Sequence, residues 1–279
     1  MSEPTGQAIV RIPLSIFIIA FNEAHRIGKT IDAVKDLADD IVVIDSGSTD
    51  GTPMVARKHG ARVIHRDWHG YGHQKRYAES QCKHEWLFNL DADEVVTPEL
   101  ESEISGMFDG DKPLLPGAYL VRICDVMPGE SAPRLFAYAH RYVRLYHRNA
   151  GSYRPSTVHD TVQVNRGFKV KRLKGKIHHR SAVNLSAQIA KFNNYTDALV
   201  EDMQRRHVAR PAWRLFLEFP AAFFKAYVMR RYFLRGAYGH ASAMSYAFFR
   251  YLRLAKHIEA RRKHESGRES PDFSPCSKC

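Results

Sequence analysis

Four apolar runs in the first hundred residues, separated by segments of helical period, most constrain how this chain can fold. Leu14-Ser-Ile-Phe-Ile-Ile-Ala20 is nearly continuous in apolar, β-branched residues, the pattern of a strand buried on both faces of a parallel sheet. Ala24–Asp39 follows, with Ile27, Ile31, Val34 and Leu37 near helical period. Ile41–Asp45 reads as a second strand, ending in the turn-forming loop Ser46-Gly-Ser-Thr-Asp-Gly51. Thr52 then reads as an N-cap, Pro53 as the first helical residue and Gly60 as a stop. Arg62–His65 is a third strand and His73–Lys83 a helix. Trp86–Leu90 is a fourth strand that runs straight into Asp91, and Thr97-Pro98 opens another helix.

This order predicts an α/β fold with a mostly parallel sheet flanked by helices. Ligands of such sheets collect at the carboxyl ends of the strands. Three polar segments fall there: Ala20–Glu23, Asp45–Asp50 and Asp91–Glu94.

From about residue 117 the pattern changes. Short strand-like pieces (Ala118–Cys124, Tyr142–Tyr146, Thr161–Val164, Lys169–Arg172) alternate with loops. A long helix is predicted from Asn184 or Ser186, with Leu185, Ile189, Phe192, Leu199 and Met203 on one face. Residues 211–256 interleave aromatic side chains with Lys and Arg, and the tail from Arg261 is polar, the composition of disorder. The expected division is a catalytic domain over 1–183, a helical amphipathic extension over 184–260 and a tail over 261–279.

Charge follows the same division. Residues 1–150 carry a net charge of −4 and residues 151–279 a net +16. Such asymmetry points the second half at an anionic partner. Four cysteines are too few for a disulfide framework at this length, and Cys276-Ser-Lys-Cys279 has no accompanying ligand set. The run Ile12–Phe21 is too short to span a membrane and is followed by Asn-Glu. These features predict a soluble chain in a reducing, cytosolic setting.

The strand-end residues suggest chemistry. Asp91-Ala-Asp-Glu94 can hold a hard divalent cation, Mg2+ or Mn2+, through oxygen. Alone it reads equally as a solvated acidic turn; its place as fourth in a βα series favours the metal. Asp45 and its loop suit a nucleotide base or ribose, or an ordinary turn. Asn22-Glu23 carries the same ambiguity. Gly70–Arg76 reads as a flexible loop with two cations, Lys75 and Arg76, suited to phosphates or simply exposed. His159-Asp160 can supply a general base or be structural. His178-His179 can complete a metal shell or lie on the surface.

Ile18-Ile-Ala-Phe-Asn-Glu23, Val43–Thr52 and Leu90-Asp-Ala-Asp-Glu94, in this order and spacing, resemble family 2 glycosyltransferases of the GT-A fold. Gly70–Lys75, Arg144-Leu-Tyr, Val158-His-Asp160 and Ile177–Ser181 are similar to the branch that builds the lipopolysaccharide inner core, notably its β-glucosyltransferases. The resemblance implies that Ala20, Asn22, Glu23 and Asp45 line a uridine pocket and that Asp91 contacts ribose or sugar; Lys75 is expected to bind the nucleotide-sugar on its own chemistry, as a cation suited to phosphates. The resemblance further implies Asp93 as a ligand of Mg2+ or Mn2+ and His179 as a second contact of the metal or of the diphosphate. It implies Asp160 as the base, where many relatives carry Glu, and places Arg76 where relatives commonly carry Asn. The implied reaction moves a hexose, glucose by the branch, from a UDP-sugar to a saccharide or lipid-linked acceptor with inversion. A polyprenyl-phosphate or capsule acceptor is the alternative.

Residues 211–256 suit a helix lying in a membrane interface. Peripheral attachment to the cytoplasmic face of the inner membrane is therefore expected. The basic half also permits a nucleic-acid-binding protein. That reading leaves the three acidic strand ends unexplained, so no nucleic-acid partner is expected.

Overall fold

A computed structural model describes residues 11–110, 113–126, 129–134, 138–156, 160–180 and 185–265. His159, Cys276 and Cys279 lie outside the described residues. The chain divides into two compact units, Met1–Ser181 and Ala182–Cys279.

The first unit is built on one eight-stranded sheet. Its strands are β1 (Ile12–Ala20), β2 (Ala38–Asp45), β3 (Arg62–His65), β4 (Trp86–Asp91), β5 (Glu94–Val96), β6 (Ala118–Asp125), β7 (Ala139–His147) and β10 (Val170–His179). A separate pair joins β8 (Gly151–Tyr153) to β9 (Val162–Val164). The large sheet runs β3-β2-β1-β4-β7-β6-β10-β5. The block β3-β2-β1-β4 is wholly parallel, whereas β7 enters antiparallel to both β4 and β6. This is the expected mostly parallel sheet, with antiparallel pairing confined to its second half.

Helices α1 (Ile27–Asp32), α2 (Thr52–Lys58), α3 (Tyr71–Ser80) and α4 (Pro98–Gly106) connect these strands. The core has two clusters. One joins Leu14, Ile16 and Ile18 to Ile27, Ile31, Phe88, Leu100 and Ile177. The other joins Phe17, Val42 and Ile44 to Ala78, Tyr146 and Tyr153. Alternate residues of β1 thus feed opposite faces, which explains why its apolar run is uninterrupted.

Two local expectations change. The helix expected over Ala24–Asp39 closes at Asp32: Val34 N donates to the Ile31 carbonyl at 3.0 Å and Leu37 N to the Val34 carbonyl at 3.1 Å, tight turns in place of helical bonds, and Ala38 already begins β2. The flexible loop expected over Gly70–Arg76 is largely helix α3. Gly70, at φ 105°, supplies the entry turn, and Gln74 N donates to its carbonyl.

In the second unit, α5 (Leu185–Arg205), α6 (Arg214–Phe224) and α7 (Gly236–Glu265) follow one another. A π-helical turn (Lys225–Met229) and a 3-10 turn (Tyr232–Arg235) separate α6 from α7. Helix α7 packs on both α5 and α6. It continues through Arg261 to Glu265, so the expected tail begins within a helix; residues 266–279 lie outside the described range. No described helix is long and apolar enough to cross a membrane.

Candidate active site

Strand register brings three of the acidic segments to one edge. Ala20 lies opposite Asp45 across β1 and β2, and Ile19 lies opposite Asp91 across β1 and β4. The loops after β1 and β2 are stitched together. Asn22 occupies the left-handed region at φ 55°, which asparagine tolerates better than most residues. Its Oδ1 accepts from Thr49 N at 2.9 Å, and its backbone N donates to Ser48 Oγ at 2.8 Å. Glu23 N donates to Thr52 Oγ1 at 2.8 Å.

Asp45 is buried. Its Oδ2 accepts from Gly47 N and Ser48 N, both at 3.0 Å. Its Oδ1 is also buried and has no hydrogen-bond partner among the described residues. An unmet buried acceptor costs about 1–3 kcal/mol. An N–H or hydroxyl from a ligand would satisfy it.

Asp91 is the centre of a charge network. Lys75 Nζ donates to Asp91 Oδ1 at 2.8 Å, and Arg144 Nη2 donates to Asp91 Oδ2 at 2.8 Å. Arg144 Nη2 also reaches Glu94 Oε1 at 2.7 Å, and its Nη1 donates to Asn89 Oδ1. Tyr153 Oη donates to the same Asn89 oxygen at 2.7 Å, while Asp91 N donates to Glu94 Oε2 at 2.9 Å. Burial opposes ionisation of Asp91, but Arg144 and Lys75 outweigh it and hold its carboxyl well below the usual range. Burial pushes Glu94 the other way, up to about 7, despite the opposing pull of Arg144.

Lys75 extends this network to Asp160, donating to Asp160 Oδ2 at 2.6 Å. The Lys75 side chain is only 1% exposed, whereas that of Asp160 is 41% exposed. The candidate base therefore faces solvent from a fixed, buried anchor.

Asp93 lies just beyond β4. His179 Nε2 is 3.4 Å from Asp93 Oδ2, and His179 Nδ1 is 2.9 Å from Asp125 Oδ1. Register explains the second contact, because His179 pairs with both Glu94 on β5 and Asp125 on β6. Burial disfavours the imidazolium, yet Asp125 and Asp93 prevail and raise the His179 pKa well above its ordinary value. Arg26 closes this end. It holds Glu23 through Nε at 2.6 Å and Nη2 at 2.7 Å, and its Nη1 is 3.7 Å from Asp93.

Among the described residues, no three His, Cys, Asp or Glu groups gather as a metal cage. The donor set nevertheless suits Mg2+ or Mn2+. Asp93 offers oxygen, His179 would offer Nε2 once a metal displaced its proton, with Nδ1 held by Asp125, and such ions commonly take one or two protein groups plus substrate phosphates and water.

The structure thus brings Ala20, Asn22, Glu23, Asp45, Asp91 and Asp93 to one strand edge. Lys75 joins Asp91 to Asp160, and His179 meets Asp93. Lys75 is enclosed between carboxylates rather than displayed on a loop, and Arg76 turns to Glu79 at 3.2 Å. His178 does not join the site: its Nε2 is buried without a partner among the described residues, and burial lowers its pKa. Arg26, Asn89, Asp125 and Tyr153 are participants that the motifs did not single out. Only Asn89, a polar side chain inside the apolar run Leu87-Phe-Asn-Leu90, carries a signal in the sequence; Arg26 precedes helix α1 and Tyr153 ends the three-residue β8.

The family model for glycosyl transferase family 2 matches residues 15–175. A Rickettsia bellii protein described as an uncharacterized glycosyltransferase is 36% identical over 250 residues, covering 87% of this chain and 85% of its own. A lipopolysaccharide core biosynthesis glycosyltransferase, LpsC of Rhizobium meliloti, is 32% identical over 266 residues, covering 89% and 93%. Glucosyl-3-phosphoglycerate synthase from Mycobacterium tuberculosis, solved with Mn2+, UDP and glucosyl-3-phosphoglycerate, is 22% identical. It overlaps at a TM-score of 0.32 over 46% of this chain and 51% of that one, too little to bear on function. The mostly parallel, helix-flanked sheet is GT-A-like. The chain belongs to glycosyl transferase family 2.

Proposed function

We propose that this protein is an inverting hexosyltransferase that moves a hexose, in our reading glucose, from a UDP-sugar to a lipopolysaccharide-core acceptor. The observation that carries the reading is the single Lys75 ammonium held by both Asp91 and Asp160. It ties a donor-side carboxylate at the end of β4 to an acceptor-side carboxylate that remains open to solvent. The unpartnered Asp45 Oδ1 supports a nucleotide pocket lined by Ala20, Asn22, Glu23 and Asp45. Similarity to LpsC supports the acceptor class.

In this mechanism Asp160 takes the proton of the acceptor hydroxyl. The acceptor oxygen attacks the anomeric carbon as the bond to the UDP oxygen breaks, converting an α-linked donor to a β-linked product. Asp93 and His179 would hold Mg2+ or Mn2+, which when bound neutralises charge on the diphosphate. Lys75 keeps Asp160 and Asp91 in fixed relation, on the same side as the diphosphate. We place the reaction at the cytoplasmic face of the inner membrane, with the protein peripherally attached; the basic, aromatic second unit supports this setting.

The test is a nucleotide-release screen of UDP-, GDP- and dTDP-sugars with a truncated core oligosaccharide. UDP-glucose turnover that stops in excess EDTA is expected. Release from GDP- or dTDP-sugars alone overturns the donor, and full activity in EDTA overturns the metal. Asp160→Asn should lose turnover while retaining nucleotide affinity; loss of both would reject the base.

A further inference from the structure

We infer that the bend between α6 and α7 is a membrane-inserting surface for anionic bilayers, a reading that deepens the peripheral attachment proposed above. Helix α6 is inverted relative to an ordinary surface helix. Trp213, Phe216, Leu217 and Phe224 recur at intervals of three, four and seven, one helical face, and all are exposed; Phe216 is 82% exposed. The row continues past the helix through Met229, 65% exposed, and Phe233. The charge lies on the inner side. Glu218 is buried and accepts from Arg250 Nε at 2.8 Å, with Arg214 at 3.9 Å and Arg253 at 4.0 Å. Water-facing helices place such groups the other way round, and an exposed apolar row of this extent marks an interaction surface.

Charge selects the occupant. Residues 203–258 contain 11 Lys and Arg side chains and a single carboxylate, Glu218. Arg205, Arg206 and Lys256 are paired with Glu201, Asp202 and Asp197, and Arg235 is buried; with Glu218 held against Arg250, the exposed Arg210, Lys225 and Arg231 leave the segment positively charged. A second copy of this chain would oppose cation to cation. A nucleic acid would satisfy the cations and leave the exposed Phe, Leu and Met side chains in water. An anionic bilayer accepts both, with apolar side chains below the headgroups and cations among the phosphates. The break in the helix serves this geometry. Pro220, the π-helical turn and the 3-10 turn fold the segment into a bend, so it can enter one leaflet without crossing.

The experiment is flotation of the full chain with vesicles of phosphatidylcholine alone, or of equal parts phosphatidylcholine and phosphatidylglycerol. Binding to the mixed vesicles is expected, about tenfold weaker on phosphatidylcholine alone. Phe216→Glu combined with Phe224→Glu should reduce partitioning by about a hundredfold. Phe216→Ser with Phe224→Ser should give a smaller loss in the same direction. Far-UV circular dichroism unchanged in both variants confirms that the helices persist. Wild-type protein that stays at the bottom of the gradient, variants that float as well as wild type, or equal binding to both vesicles would each overturn the inference. So would a dimer that these variants dissociate, or duplex DNA that competes the protein off vesicles while the variants still bind it. UDP-sugar hydrolysis measured without vesicles separates the two readings: hydrolysis without flotation rejects only the surface, and flotation without hydrolysis rejects only the UDP-sugar donor.

Discussion

Lys75 Nζ donates to Asp160 Oδ2 at 2.6 Å from a position with almost no solvent exposure. The same ammonium meets Asp91 at 2.8 Å, and the two carboxylates together outweigh burial and raise the lysine pKa above its ordinary value. Lys75→Met keeps the volume and removes the charge. Asp91 retains Arg144, and both carboxylates have access to water. The stability loss should therefore be modest, on the order of 1–3 kcal/mol, whereas turnover should fall about a hundredfold or more as Asp160 loses its anchor. Urea denaturation and donor hydrolysis read the two effects. A rise in KM for the donor with kcat unchanged would instead assign Lys75 to the diphosphate. Lys75→Arg should fail to restore activity, since a planar guanidinium does not fit the place of a compact ammonium.

Arg144 has no such access to water. Its guanidinium reaches Asn89, Asp91 and Glu94 from the interior of β7, and Glu94 is itself buried. Arg144→Met should cost roughly 3–5 kcal/mol, because it strands a buried carboxylate. Adding Glu94→Gln should return part of that loss, and the double-mutant cycle measures the coupling. Additive losses would mean that the two side chains are independent despite their 2.7 Å contact.

The contrast between these residues and the strands shows what is legible in the sequence. Strands β1, β2 and β4 announce themselves because burial on both faces demands uninterrupted apolar runs. The carboxylates Asp45, Asp91 and Asp93 follow directly from where those runs stop. Strands β5 and β8 have three residues each, too few to display a period. Arg144 finds its partners 50 to 55 positions away, so an isolated cation within Val143-Arg-Leu-Tyr146 and the resemblance of Arg144-Leu-Tyr mark it but not its contacts. Glycines at 70 and 72 suggest a loop, but Gly70 supplies the entry to α3, and the burial of Lys75 arises only when β4 and the Asp160 segment close around it.

Glu79 gives a pH dependence away from the candidate metal ligands. It is buried under Tyr146 Oη at 2.5 Å and Tyr153 N at 2.9 Å, and burial raises its pKa above 4.5 in spite of those donors and Arg76. The folded protein therefore keeps this proton to higher pH than the unfolded chain does. Its contribution to stability is full in acid and declines as pH rises from about 4.5 through the folded pKa. Denaturation of wild type and Glu79→Gln across that range should show wild type losing stability relative to the variant as pH increases. A difference that is constant or of opposite slope would contradict the raised pKa.

Gly175 links packing to the site through β10, the strand that ends in His179. A Cβ there would lie 2.5 Å from Leu100 Cα and 2.7 Å from Leu100 N, both backbone atoms of α4. No rotamer change relieves such a contact, so Gly175→Ala must push β10 and α4 apart. Overpacking of this kind costs about 1–3 kcal/mol. Glu103 now accepts from Lys174 N at 2.8 Å and Gly175 N at 2.8 Å, and that tie resists the movement. The displacement should pass along four residues to His179 and disturb its 2.9 Å contact with Asp125. Gly175→Ala should therefore weaken Mn2+ binding measured by calorimetry in the presence of UDP as well as lower the melting temperature. Gly167→Ala serves as the control, since its positive φ strains the backbone with no atom of the described residues within 4 Å of the added methyl. Equal loss of Mn2+ affinity in both variants would show that β10 does not transmit the strain. Loss confined to Gly175→Ala would tie the α4–β10 contact to the geometry of Asp93 and His179.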